Sequence, residues 1–210
     1  MKIASVLPYK ENYTKNGAGA VSLWISDFMR DSIYKKNTSV IGSTKNKNFL
    51  TKNYINVDIK SPNSRLNSTT KEYSEKIVKK IRNLNFDIIE LHNRPIMVKE
   101  FKEKISSKII LYFHNDPTTM KGAKTIDERI YLLNSVDKII FITKWVKKKF
   151  FEGLPSLSDN KTQIIYHSID PFKKKIKKNK QIIFVGKLNE SKGYDLYCKA
   201  MFKILDSKKD

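Results

Sequence analysis

Short apolar runs alternate with longer segments of helical periodicity along almost the whole chain. The runs include KIASVL at 2–7, DIIEL at 87–91, KIILYF at 108–113 and DKIIFI at 137–142. Continuous apolar runs of this length are typical of parallel strands that are buried on both faces. Helices between such strands indicate right-handed βαβ crossovers. The sequence therefore predicts an α/β fold with a doubly wound, parallel, Rossmann-like sheet.

Local signals place the remaining elements. Pro95 suits the first turn of a helix, and Thr143 is suited to cap the start of another. The predicted helices cover 21–33, 70–83, 96–101, 126–133 and 145–151, and further strands cover 38–41, 54–59 and 163–166.

Composition excludes several classes of protein. The 210 residues are 40% hydrophobic and 30% charged, which is typical of a globular chain rather than a disordered one. No apolar run approaches the roughly 18–20 residues of a membrane-spanning helix, and the N-terminus lacks a signal-peptide core. We therefore expect a cytoplasmic location. The single cysteine, Cys198, excludes an internal disulfide and a cysteine-cluster metal site.

The chain is strongly basic, with 42 lysine and arginine residues against 21 acidic ones and a net charge of +21. Such a charge suits nucleic acid, anionic membranes or phosphorylated ligands. Because the lysines are spread out and no nucleic-acid-binding motif is present, we do not expect nucleic acid as a partner. A lysine-biased genome and a peripheral contact with an anionic membrane both remain open.

The helix at 145–151 is the candidate for a membrane contact, because lysines at 144 and 147–149 surround its aromatic residues. One interpretation is a basic amphipathic face that lies on an anionic membrane. The other, which the shortness of the helix favours, is a solvated helix that packs its aromatic residues on the sheet.

Polar residues follow two neighbouring predicted strands. His92 and Asn93 come after the strand at 87–91, and His114 and Asp116 come after the strand at 108–113. Ligands of open α/β sheets bind beyond the carboxyl ends of the strands, so these residues are candidates for a site. Each histidine could instead be structural, and Asp116 could be only a turn residue or a helix cap.

Two further segments are candidates for phosphate binding. Gly17 and Gly19 lie between the first strand and first helix, where small residues let a backbone approach a ligand closely. The stretch 181–196 reads as a buried strand, a turn at Gly186, and a helix, with Lys187 and Lys192 beside the turn. A strand-to-helix turn of this kind is a natural anion site, although an ordinary turn with solvated lysines has the same pattern.

The order of strand, glycine, basic residue, leucine and later Lys-Gly in 181–196 resembles the start of the C-terminal domain of family 4 retaining glycosyltransferases, which have the GT-B fold. The resemblance implies that Lys187 and Lys192 hold the diphosphate of a nucleotide sugar. It also implies that Gly17 and Gly19 lie near the donor phosphates. Lys187 departs from the arginine that is usual in the family, and a lysine lacks the bidentate fork of arginine.

The same resemblance assigns roles to the residues at the strand ends. His114, in the phrase FHND, matches a histidine that contacts the sugar and is the candidate catalytic residue. His92, Asn93 and Asp116 fall on the acceptor and sugar side. His167 and Ser168 depart from the Asn-Gly pair that the family has at this position.

The implied architecture is the N-terminal half of a GT-B fold at 1–171, a basic linker at 172–180 and the start of a nucleotide-sugar domain at 181–210. Only the first strand and helix of that second domain are present, and no glutamate follows Glu190 to form the paired glutamates of the family. We expect a fragment or a truncated product, whose activity alone is left open. Without a sheet to join, the last strand and helix should be poorly packed or lean on the first domain.

The resemblance implies retaining transfer of a sugar from a nucleotide-sugar donor to a lipid-linked or polysaccharide acceptor in cell-envelope glycan synthesis, such as that of lipopolysaccharide. It implies no metal and no cofactor besides the donor. The alternative is a truncated, non-catalytic Rossmann-like domain that binds a partner, an acceptor or an anionic membrane surface. A weaker alternative is a small-molecule or nucleic-acid binder of Rossmann type.

Overall fold

The computed structural model describes residues 1–59, 68–155, 159–168 and 179–207. The chain divides into two compact units, Met1–Ile169 and Asp170–Asp210. The predicted boundary at 171 and most of the predicted linker, 172–178, lie outside the described residues.

The sheet of the first unit is entirely parallel and, within the described residues, has seven strands. They are β1 (Ile3–Val6), β2 (Thr38–Gly42), β3 (Tyr54–Asn56), β4 (Ile88–His92), β5 (Lys108–Phe113), β6 (Lys138–Phe141) and β7 (Thr162–Ile164). Their order is β3-β2-β1-β4-β5-β6-β7, and each neighbouring pair runs in the same direction. The order reverses beside β1, which places the topological switch point between β1 and β4.

The helices of the first unit lie close to their predicted positions. They are α1 (Ala20–Asp31), α2 (Thr69–Ile81), α3 (Val98–Lys104), α4 (Ile126–Ser135) and α5 (Lys144–Phe151). Thr143 caps α5 as predicted, because its hydroxyl accepts the N–H of Val146 at 3.1 Å. Pro95 opens a 3-10 turn, Pro95–Met97, that leads into α3.

Helices pack on both faces of the sheet, which confirms the doubly wound arrangement. The larger core lies under α2 to α5 and contains fully buried side chains such as Tyr73, Phe101 and Phe150. On the other face, α1 packs Val21 and Ile25 against a smaller core. Of the described helices of the first unit, only α1 belongs to that smaller core, so part of this face can carry polar side chains.

Only some of the aromatic residues of helix α5 pack on the sheet in the way that the second interpretation of this helix predicted. Val146 and Phe150 are buried in the larger core. Trp145 is 54% exposed, and the Nζ of Lys149 lies 6.0 Å from the centre of its ring. Helices long and apolar enough to cross a membrane are absent from the described part of the chain.

The second unit contains a 3-10 turn, Glu190–Lys192, and the helix α6 (Tyr194–Asp206). The predicted buried strand at 182–185 is not formed in the described residues, and Ile182, Ile183 and Val185 are exposed. The reason is that residues 179–207 contain no other extended segment with which it could pair. Phe184 packs its ring on Tyr197 of α6, with 5.4 Å between ring centres.

Candidate functional site

Polar side chains gather at the carboxyl ends of β1, β4 and β5, on the face that α1 covers. Ser5 of β1 pairs with Glu90 of β4, and His92 of β4 pairs with Tyr112 of β5. Because alternate residues of a strand point to the same face, Glu90 and His92 lie on one side of the sheet. The sheet register therefore places a carboxylate, a hydroxyl and an imidazole side by side.

The chain has three histidines, and the structure brings all of them together. The Nδ1 atom of His92 lies 3.0 Å from Nε2 of His114, and Nδ1 of His114 lies 3.1 Å from Nε2 of His167. At the inner end, Oγ of Ser5 lies 3.0 Å from Nε2 of His92. We call Ser5, His92, His114 and His167 the histidine chain.

The histidine chain runs from the interior to the surface. Ser5 and His92 are each 1% exposed, and His114 is 7% exposed. His167, which follows β7, is exposed. A ligand on the first unit would therefore meet His167 before the other two histidines.

The indole of Trp24 on α1 covers the three imidazoles. Its ring centre lies 5.7 Å from that of His92, 5.2 Å from that of His114 and 5.3 Å from that of His167. The first two contacts are edge-to-face, and the contact with His167 is stacked at 28°. These geometries are favourable for aromatic pairs and hold the rings in place.

Glu90 and Tyr112 support the inner part of the cluster. The hydroxyl of Tyr112 donates to Oε1 of Glu90 at 3.2 Å, and the Tyr112 ring stacks on His92 with 4.5 Å between centres. Burial, together with the neighbouring carboxylate, raises the pKa of Tyr112 well above its ordinary value. Tyr112 therefore remains a neutral hydrogen-bond donor to Glu90.

Loss of contact with water lowers the pKa of His114 and of His167. Burial, which is the largest cause, and the neighbouring imidazoles of His92 and His167 together lower the pKa of His114 from 6.5 to about 2. The pKa of His167 is also lowered, first by burial and then by His92. Both rings are therefore neutral near pH 7, and each has one N–H donor and one bare nitrogen.

Asn93 fixes the backbone of this region. It adopts a left-handed conformation with φ of 53° and is buried. Its N–H donates to the carbonyl of Tyr112 at 2.9 Å, and its Oδ1 accepts the N–H of His114 at 2.7 Å. The strained residue thereby ties the end of β4 to the end of β5, and such strain is common at functional sites.

The predicted residues of the strand ends have different surroundings. His92, Asn93 and His114 lie together, but both ring nitrogens of His114 already have hydrogen-bond partners. Asp116 acts as a cap, because its Oδ1 accepts the N–H and hydroxyl of Thr118 at 2.9 and 2.7 Å. No described hydrogen bond or ring contact joins Asp116 to the histidines.

The glycine loop already holds a carboxylate. Gly17 has φ of 113°, and Gly19 is the N-cap residue of α1. Oε1 of Glu11 accepts the N–H of Ser22, in the first turn of α1, at 3.1 Å. A Cβ at Gly19 would overlap that carboxylate. Glu11 therefore occupies the anion position at this helix N-terminus. The predicted place of Gly17 and Gly19 near the donor phosphates stays a prediction.

Lys187 and Lys192 belong to the second unit, and both are exposed. Lys192 closes the 3-10 turn, and Gly193 after it has φ of 71° and is the N-cap residue of α6. Their predicted role in diphosphate binding stays a prediction. In the described ranges, no group of three or more His, Cys, Asp and Glu side chains is arranged to hold a metal ion.

Sequence reasoning did not identify several residues of this region, including Ser5, Glu90, Tyr112, Trp24, His167 and Glu11. Trp24 shares the helical spacing of the apolar residues in 21–33, which predicts a place on the apolar face of that helix but no contact with histidines. His167 carried a signal, since it is the third histidine to follow a strand. Glu11 had no signal, because its contact with Ser22 depends on how the loop folds back.

Comparison with known proteins gives one curated relative, and no protein-family model matches the chain. Over 158 residues the chain is 28% identical to the Bacillus subtilis (strain 168) protein named "Putative glycosyltransferase YtcC". The match covers 66% of this chain and 38% of YtcC. The chain thus spans well under half of this relative.

Solved structures share the fold at low sequence identity. The structure of Anabaena HepE in complex with UDP-glucose has a TM-score of 0.53 and 14% identity, over 81% of this chain and 44% of HepE. A structure of sucrose-phosphate synthase from Thermosynechococcus elongatus has a TM-score of 0.55 and 8% identity, over 79% of this chain and 88% of that one. The first unit therefore has the Rossmann-like α/β fold found in these GT-B proteins.

Proposed function

We propose that the chain is the acceptor-side part of a glycosyltransferase that uses a nucleotide-sugar donor. The observation that carries the proposal is the histidine chain, which lies at the carboxyl ends of parallel strands next to the topological switch point. Ligands of open α/β sheets bind at this place. The relative named as a glycosyltransferase and the HepE complex with UDP-glucose support the same assignment.

The proposed reaction breaks the bond between the sugar and the donor diphosphate and forms a bond from the sugar to an acceptor hydroxyl, whose proton passes to the departing diphosphate. The developing charge on the diphosphate needs cations or helix N-termini. We assign Lys187 and Lys192 to that charge, and neutral imidazoles and Asn93 to sugar or acceptor hydroxyls. We further propose retention at the sugar, no metal requirement, and a lipid-linked or polysaccharide acceptor in envelope synthesis.

A peripheral membrane contact would suit a lipid-linked acceptor in the cytoplasm. Helix α5 exposes Lys144, Trp145 and Lys148 together. A lysine near an anionic surface contributes about 1 kcal/mol, and an exposed tryptophan suits the lipid interface. These three residues support the proposal that α5 lies against anionic headgroups.

The test is calorimetric titration with nucleotide diphosphates and nucleotide sugars, including UDP-glucose, on this chain and on any longer form that the gene encodes. Lys187→Ala or Lys192→Ala should each weaken binding about 10- to 100-fold, because a charge-assisted hydrogen bond contributes about 1.5–3 kcal/mol. Lys180→Ala, at another exposed lysine of the second unit, is the matched control and should bind normally. If no form binds any nucleotide, the transferase assignment fails and a non-catalytic binding domain replaces it.

A further inference from the structure

The hydrogen bonds of the histidine chain restrict where its protons can lie. A neutral imidazole has one N–H and one bare nitrogen. If Nδ1 of His92 carries the proton, Nε2 of His114 is bare, so Nδ1 of His114 is protonated and donates to Nε2 of His167. The same rule then places the proton of His167 on Nδ1. The reverse arrangement protonates Nε2 in every ring, and only these two arrangements satisfy both contacts.

Ser5 selects between the two arrangements. Its buried hydroxyl makes, among the described residues, one hydrogen bond, and the partner is Nε2 of His92. A hydroxyl that donates to a bare Nε2 satisfies both groups, whereas one that accepts leaves its own hydrogen buried without a partner. Oε2 of Glu90 lies 3.9 Å from Nε2 of His92, which is too far for a hydrogen bond. The Nδ1–H form is therefore favoured in all three rings.

We propose that the histidine chain is a single tautomeric relay, in which the buried hydroxyl of Ser5 holds His167 as a hydrogen-bond donor that faces the ligand. The atom presented is Nδ1–H of His167, and the group that it binds is an oxygen atom of a sugar or phosphate. His92 and His114 are positioning residues, which transmit the choice of tautomer. The ligand contact rests on the proposed function, whereas the shared tautomer does not.

Two features of the site suit a relay of this kind. The low pKa of His114 keeps the middle ring neutral, so the arrangement of protons can be set without a buried charge. The stacked indole of Trp24 holds the ring of His167 at 28°, which fixes the direction of its outer nitrogen. Because free neutral imidazole in water prefers the proton on Nε2, three Nδ1–H rings would be a distinctive result.

The experiment is a long-range proton–nitrogen correlation spectrum of the ¹⁵N-labelled chain at pH 7.5, which reports the tautomer of each histidine. We expect Nδ1–H in all three rings. Ser5→Ala removes the donor to His92 and leaves Nε2 facing Glu90, so all three rings should change together to Nε2–H. Ser5→Thr retains a hydroxyl and should restore the original form. Ser22→Ala is the control, because its buried hydroxyl has no hydrogen-bond partner among the residues that the structure describes.

Three results would overturn the relay: different tautomers within one spectrum, a charged His167 at pH 7.5, or an unchanged His167 in a folded Ser5→Ala variant. The wild-type spectrum alone shows whether the three tautomers differ and whether His167 is charged. The relay can therefore be refuted even if the Ser5→Ala variant does not fold.

The ligand contact is tested by adding UDP-glucose where calorimetry detects its binding. A shift of the His167 Nδ1 signal supports the contact. Binding without that shift overturns the contact and leaves the proposed function intact. Absence of binding for every nucleotide diphosphate and nucleotide sugar refutes the proposed function and with it the ligand contact, while the Ser5 variants still decide the relay.

Discussion

Acidification from pH 7.5 to pH 5.5 should destabilise the first unit, because the buried His114 is neutral in the folded state. The pKa of His114 is lowered to about 2 by folding, from an ordinary value of 6.5. The unfolded chain therefore binds a proton below pH 6.5 that the folded chain does not bind. Stability is unaffected well above pH 6.5 and falls as the pH drops toward 2.

The size of the effect follows from the shift. At pH 5.5 the unfolded state is one pH unit below its pKa and the folded state remains neutral, which costs about 1.4 kcal/mol. His167 adds a loss in the same direction, because its pKa is also lowered. With an m-value of about 2 kcal/mol/M for urea, the His114 contribution alone moves the unfolding midpoint by about 0.7 M.

The assay is urea unfolding at the two pH values, followed by tryptophan fluorescence. The signal comes from Trp145 and from Trp24, which contacts all three imidazoles. The chain has no histidine outside this cluster, so other imidazoles do not contribute. His114→Phe replaces the titrating ring by an apolar one and should reduce the pH dependence, even if it lowers stability at pH 7.5. Equal midpoints for the wild type at both pH values, or an undiminished dependence in His114→Phe, would refute the reasoning.

Further predictions concern the glycine loop, the strained residue and α5. Gly19→Ala should lower stability by about 0.5–2 kcal/mol by expelling the Glu11 carboxylate from the first turn of α1, and in chemical unfolding it should cost almost nothing in a Glu11→Ala background. Asn93→Ala should lower the free energy of unfolding by about 2–3 kcal/mol, because alanine is strained at a positive φ and the buried N–H of His114 loses its acceptor. Asn93→Gly should relieve the strain at φ but not restore that hydrogen bond. A Lys144→Glu, Lys148→Glu double variant should abolish sedimentation with vesicles containing phosphatidylserine, whereas equal binding to neutral vesicles would contradict an electrostatic contact.

Strands and helices of the first unit follow the sequence closely because their signals are local. The run at 108–113 forms β5 over the same residues, and the cap at Thr143 begins α5 where expected. The apolar run at 182–185 shows the limit of such signals. A strand is stabilised by its neighbour, and the described part of the second unit supplies none.

The site depended on information that no local pattern contains. The positions of His92 and His114 at strand ends follow from the strand predictions, and their proximity follows from the parallel pairing of β4 with β5. The hydrogen-bond partners of His92 and His114 cannot be predicted from the strand positions, because they depend on the register of the strands and the orientation of the rings. Trp24 illustrates this, since helical spacing predicts that it is buried but not that it covers three imidazoles.

The role of a histidine depends on which of its two nitrogens is free to bind a ligand, and the assignment of the sugar contact to His114 stays a prediction. Resemblance assigned the sugar contact to His114 by its place in the phrase FHND. The chain departs from the same pattern at His167, and that departure supplies the imidazole whose Nε2 engages Nδ1 of His114. The other nitrogen of His114 is engaged by His92. Of the three imidazoles, the exposed one is therefore that of His167, so a test of sugar binding in this chain should begin with His167.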